Sequence, residues 1–138
     1  MNIEEIRVKI DHLCDNLEKL AVIPQGSLAE FSSDFMHVDS AIHRLQTGIQ
    51  ALIDVASYVA ARRGLPMART SKDILANLER AGLLPAGSTD RFAPMLAFRN
   101  RVVHLYDRVD PGIVYRILTE ERGDLRNLLD ELLRLLED

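Results

Sequence analysis

Apolar residues recur along this chain at alternating steps of three and four. Ile3, Ile6, Ile10, Leu13, Leu17 and Leu20 form one such stripe, which places them on one face of a helix ending near Ile23-Pro24-Gln25-Gly26. Beyond that break Val38, Ile42, Leu45, Ile49, Leu52, Ala56 and Val59 repeat the stepping. They predict a long central helix from Leu28 to Arg63, stopped by Gly64-Leu65-Pro66. Some 35 residues would span about 50 Å, more than a compact bundle of this size needs, so the helix is expected also to reach a partner chain. Ser71 is the expected cap of a short helix through Ile74, Leu75 and Leu78 to Ala81-Gly82. Ser88 or Thr89 is the expected cap of the next helix, with Pro94 near its first turn and Phe92, Met95, Leu96, Val102, Val103 and Leu105 as its apolar contacts. Asp110-Pro111-Gly112 pairs a capping residue with a proline at the first helical position. It predicts a last helix, folded back as a hairpin and packed through Val114, Leu118, Leu125, Leu128, Leu132 and Leu135, with Gly123 as a weak point.

The expected architecture is therefore all-α, an antiparallel bundle of about four to five helices around one long member. A length of 138 residues with 47% apolar residues suits one domain, residues 1–138, with a single core. Seven aromatic residues and no Trp, beside abundant Leu, Ala, Arg and Glu, fit helices better than strands. Cys14 is the only cysteine, so neither an intrachain disulfide nor a Cys-rich zinc site can form. With no signal-like or membrane-spanning apolar run, a cytoplasmic protein away from membranes is expected.

The formal charge of -4 argues against a general nucleic-acid coat, but it is unevenly spread. Between Arg91 and Asp107 there are three Arg and one acid; from Glu120 to Asp138 there are three Arg and seven acids. A basic pocket for one phosphate fits this better than a long basic stripe. Asp34, Gln50 and Asp54 on the central helix are candidates for polar contact with the basic helix, although solvated side chains are the commoner case at such positions. His12, His37 and His43 lack the spacing of a metal site, and neither a Gly-rich phosphate loop nor a His-Glu-x-x-His pattern is present.

The densest chemistry lies in Arg99-Asn100-Arg101-Val102-Val103-His104-Leu105-Tyr106. Cleaving RNA without a metal or other cofactor requires a group that moves the proton of a ribose 2′-hydroxyl and a cation that stabilises charge gathering on the phosphate. His104 exchanges protons near neutral pH as a residue type, and Arg99 presents a fork of donors to phosphoryl oxygens. Asn100 is the candidate for holding their geometry, and Arg101 for a phosphate contact or a surface ion pair. Asn100 and His104, four apart, share a helix face; Arg99 and His104, five apart, diverge by about 140°. Two such helices meeting across a two-fold axis would line one cleft with both residue types, so the geometry favours a homodimer.

This segment, Arg-x4-His-x-Tyr with Asn after the Arg, closely resembles the signature of HepT-like toxins in the HEPN superfamily. The helix order of the rest of the chain is similar to that family's as well. The resemblance implies a HEPN-like fold and an endoribonuclease toxin, with tRNA as substrate and catalysis by Arg99, His104 and Asn100 in a homodimer. It also implies an MNT-type nucleotidyltransferase antitoxin that attaches AMP to Tyr106. Because HEPN domains include non-catalytic members, it equally admits a binding subunit that holds a nucleotide or presents substrate to a nucleotidyltransferase.

Overall fold

The computed structural model describes residues 1–105 and 109–137. Every regular element among them is helical: α1 (Ile3–Val22), α2 (Leu28–Ser32), α3 (Phe35–Arg62), α4 (Ser71–Arg80), α5 (Ser88–Leu105), α6 (Pro111–Arg116) and α7 (Arg122–Glu137), with a π-helical turn, Ile117–Glu121, joining the last two. The antiparallel all-α bundle is as expected. The central helix α3 contacts α1, α2, α4, α5, α6 and α7, because apolar residues occupy most of its circumference: Leu45, Ile49, Leu52, Val55 and Ala56 are fully buried. A helix buried on several sides is the axle of a bundle.

The predicted helix from Leu28 to Arg63 is in fact two. Asp34 adopts an extended backbone and its carboxylate accepts the N–H of Met36, so it caps α3 instead of continuing α2. The central helix then has 28 residues, about 42 Å, and the length argument for a partner weakens accordingly. Asp34 also lies 3.6 Å from His37 Nε2, so this candidate for contact with the motif helix serves its own helix. Replacing Asp34 with Ala is expected to lower stability by about 1 kcal/mol, read from chemical denaturation.

Other boundaries moved by smaller steps. Thr70, not Ser71, caps α4 through the N–H of Asp73. Pro94 sits inside α5, beyond the first turn, where its missing N–H removes the ladder bond to the carbonyl of Asp90, an exposed residue. The weak point of the last helical stretch falls just before Gly123, in the π turn. There the Thr119 hydroxyl donates to the carbonyl of Tyr115 at 2.8 Å, competing with the ordinary helix ladder. The same Tyr115 stacks at 5.7 Å on Phe31 and donates its hydroxyl to the carbonyl of Gln25, tying the α1–α2 loop to the C-terminal helices. No helix among the described residues is long and apolar enough to cross a membrane.

Candidate active site

Helix α5 carries the candidate residues, and its start is fixed from outside. The Glu79 carboxylate on α4 accepts the N–H of Thr89 at 2.8 Å and of Gly87 at 3.0 Å. Glu79 thus serves as the acceptor that a capping side chain would otherwise provide; sequence reading, which looks for caps beside the helix, pointed to Ser88 or Thr89. These two bonds, that from Thr89 the stronger, hold the Glu79 carboxyl below its ordinary range. The bonds therefore stabilise the fold fully above the ordinary carboxyl range, and their contribution fades as pH falls through it towards the lowered value. Glu79→Gln is expected to melt at lower temperature than the parent at neutral pH, with the difference closing below about pH 4; equal melting temperatures at pH 7 would rule the clamp out.

Phe92, Met95, Phe98 and Val102 seat α5 against the core, and this seating decides where the polar residues go. Arg99 is adjacent to that buried face and turns towards α3: its Nη1 donates to Gln50 Oε1 at 2.9 Å, and its Nη2 to Asn100 Oδ1 at 2.7 Å. Its Nε is buried and lacks a hydrogen-bond partner. Gln50 in turn donates through Nε2 to Asp54 Oδ1 at 3.0 Å, and Asp54 Oδ2 lies 2.9 Å from Lys9 Nζ on α1. An ionised carboxylate only accepts, so it orients the Gln50 amide with its oxygen towards Arg99. Of the three candidates on the central helix, Gln50 reaches the motif directly, Asp54 through Gln50, and Asp34 does not.

Gln50→Leu keeps bulk and removes the acceptor. We expect it to lower folding stability by about 1 kcal/mol, read from chemical denaturation, and the loss to vanish in an Arg99→Ala background. A loss of the same size in both backgrounds would mean that Gln50 acts on something other than Arg99.

The opposite side of α5 is open. Ala97, Asn100, Arg101, Val103 and His104 are all exposed, and His104 makes no hydrogen bond or ion pair among the described residues. Within one chain Asn100 joins Arg99, but Arg99 and His104 are not brought into contact. Arg101, three residues from His104, shares its side of the helix more closely than Arg99 does. Tyr106 lies outside the described residues. Among those described, no three His, Cys, Asp or Glu side chains are grouped to hold a metal ion. His12 and His43 instead border a cavity of about 500 Å³ between α1 and α3, which Gln50 and Asp54 also line.

A family model described as Ribonuclease HepT-like matches residues 10–132. The chain is similar to the mRNA nuclease HepT of Shewanella oneidensis, 28% identical over 105 residues that cover 76% of this chain and 79% of that protein. It is similar to the tRNA nuclease HepT of Aphanizomenon flos-aquae, 27% identical over 123 residues, covering 86% and 82%. Its fold matches a solved structure of the tri-AMPylated Shewanella oneidensis HEPN toxin in complex with MNT antitoxin, with a TM-score of 0.83 and 25% identity over 97% of this chain and 99% of that one.

Proposed function

The chain belongs to the ribonuclease HepT-like family, and on that premise we propose that it is an endoribonuclease toxin whose catalytic pair, Arg99 and His104, meets in a cleft shared by two copies. The observation that carries the proposal is the division of labour on α5: a cation anchored inward by Gln50 and Asn100, and an exposed His104 about 140° around the same helix. Two copies related by a two-fold axis turn that divergence into an advantage. Exposed Ala97 and Val103 beside His104 support a close approach of the two α5 helices.

In the cleft the 2′-oxygen attacks the adjacent phosphorus while one His104 removes its proton, and the bond from phosphorus to the 5′-oxygen breaks. The departing oxygen takes a proton from the second copy's His104, so the pair supplies base and acid. Arg99 neutralises the charge on the phosphoryl oxygens, and Asn100, its Oδ1 bound to Arg99, orients it. The products are a 2′,3′-cyclic phosphate and a free 5′-hydroxyl, and no metal enters the scheme. Arg101 is assigned to a backbone phosphate beside the reacting one. We extend the proposal to tRNA as substrate, supported by the wider match to the tRNA nuclease, and to a cognate MNT-type nucleotidyltransferase that silences the toxin by placing AMP on Tyr106. The MNT complex of the Shewanella oneidensis toxin supports that pairing. The nuclease relatives favour cleavage over a non-catalytic binding subunit.

Mixed dimers test the shared cleft. Mixed with an excess of the doubly substituted Arg99→Ala/His104→Ala chain, the parent forms heterodimers holding one intact Arg99 and one intact His104, and RNA cleavage per parent chain should fall at least about tenfold because either the acid or the base is missing. Undiminished cleavage per parent chain in dimers verified to be mixed would place both residues of each site in one chain.

A further inference from the structure

Beside the reacting residues lies a second basic feature. A cavity of about 620 Å³ between the start of α4 and the middle of α5 is lined by Arg69, Thr70, Ser71, Lys72, Ala93, Leu96, Ala97, Arg99 and Asn100. It holds three cations and no carboxylate on a chain of net charge -4. Arg69 and Lys72 are exposed, and neither makes an ion pair or hydrogen bond among the described residues. Asp73, the nearest acid in sequence, is not among the lining residues.

The chain builds this corner deliberately. Gly64, at φ +67, ends α3, and Asn77 Nδ2 on α4 donates to the carbonyl of Pro66 at 3.1 Å, which pins the connection carrying Arg69. Thr70 takes the N–H of Asp73 and leaves the first-turn N–H groups of Ser71 and Lys72 without intrahelical acceptors. Ala93 and Ala97 keep the opposite wall low. Arg99 belongs to both places: it lines this cavity and stands at the reacting centre, with its buried Nε unpartnered.

We propose that this cleft is an RNA-backbone subsite: Arg69 and Lys72 bind a phosphodiester next to the one being cut, and so set the path of single-stranded RNA across Arg99. The inference rests on the RNA-cleaving reading given above. The recognition is of phosphate and carries no base preference. It requires a substrate longer than the dinucleotide at the scissile bond.

Binding to a His104→Ala protein, which leaves the RNA uncut, tests it. Affinity for a single-stranded oligoribonucleotide of about ten nucleotides is measured across a salt series, alone and with Arg69→Gln/Lys72→Gln added. Removing two phosphate contacts should reduce the slope of log affinity against log salt by about 1.4, at about 0.7 per contact on a single strand, and weaken binding about tenfold at low salt. Arg69→Lys/Lys72→Arg should restore both, and a dinucleotide should show no difference in slope. Arg91→Ala, in a cavity that also contains Asp124, Asp130 and Glu131, is the control for general charge and should change the slope little. Unchanged affinity and slope in the Gln variant, or an equal effect from Arg91→Ala, would overturn the subsite while parent cleavage stands. A parent protein that neither binds nor cuts RNA would overturn the subsite together with the functional reading beneath it.

Discussion

His104→Ala is expected to lose RNA cleavage by at least about 10²- to 10⁴-fold, the range associated with removing a general acid or base. In the proposed shared cleft both roles fall to copies of the same residue, so the loss should lie towards the upper end. The side chain is exposed and makes no hydrogen bond or ion pair among the described residues, so thermal stability should move by less than about 0.5 kcal/mol. Activity and folding are thereby separated in one variant. Total RNA incubated with the parent should yield fragments ending in 2′,3′-cyclic phosphate; the variant should yield none, and its expression should no longer slow growth. Retained cleavage in a well-folded His104→Ala protein would remove this residue from the reaction.

Tyr106→Phe should have the opposite consequence in cells, leaving the enzyme active when its partner is present. Attack by the tyrosyl oxygen on the α-phosphorus of ATP, with release of pyrophosphate, would add an adenosine and a negative phosphate two residues from His104. Three Arg and one acid lie between Arg91 and Asp107 in the sequence, so that group is expected to compete with an RNA phosphate for cations near it along the chain. Co-expression with the cognate nucleotidyltransferase is expected to raise the intact mass of the parent by one or more AMP units and to suppress its cleavage to the level of His104→Ala. The Tyr106→Phe chain should keep its mass and stay toxic. AMP units persisting on that variant would place the acceptor elsewhere.

Most of the fold could be read from the spacing of apolar residues, because a helix that packs on a core must repeat them at close to 3.6 residues. The Asp110-Pro111 start of α6 was legible for a similar reason, since its side-chain bond to Gly112 is local. What escaped sequence reading depends on distant partners or on competition between local signals. Phe35 and Met36 continue a helical-looking run, so Asp34 could be recognised as a cap only from its extended backbone. Glu79 caps α5 from another helix, and nothing in the residues around Ser88 announces it. In the candidate site, Arg99 and His104 were visible as chemistry at helical spacing. Gln50 was one of three polar candidates on α3, and only the packing of α5 against that helix selects it. Arg69 and Lys72 were missed because they stand where the connection after Gly64 and Pro66 meets α4, and no periodicity encodes the path of that connection.

The way Arg99 is held also has a consequence for which cation can serve there. A guanidinium carries five N–H donors, and Gln50 and Asn100 accept one each. Of the other three, that of Nε is buried, and the second N–H of each terminal nitrogen is left for oxygen atoms of a bound phosphodiester, so the group can be anchored and still offer two donors from one fork. A lysine offers three donors on one nitrogen. Satisfying the same two neighbours would leave it a single donor for substrate, pointing wherever the first two allowed. At this position charge alone is therefore an insufficient description of the residue: what the fold requires is a cation that can be gripped on one side and still present an array on the other.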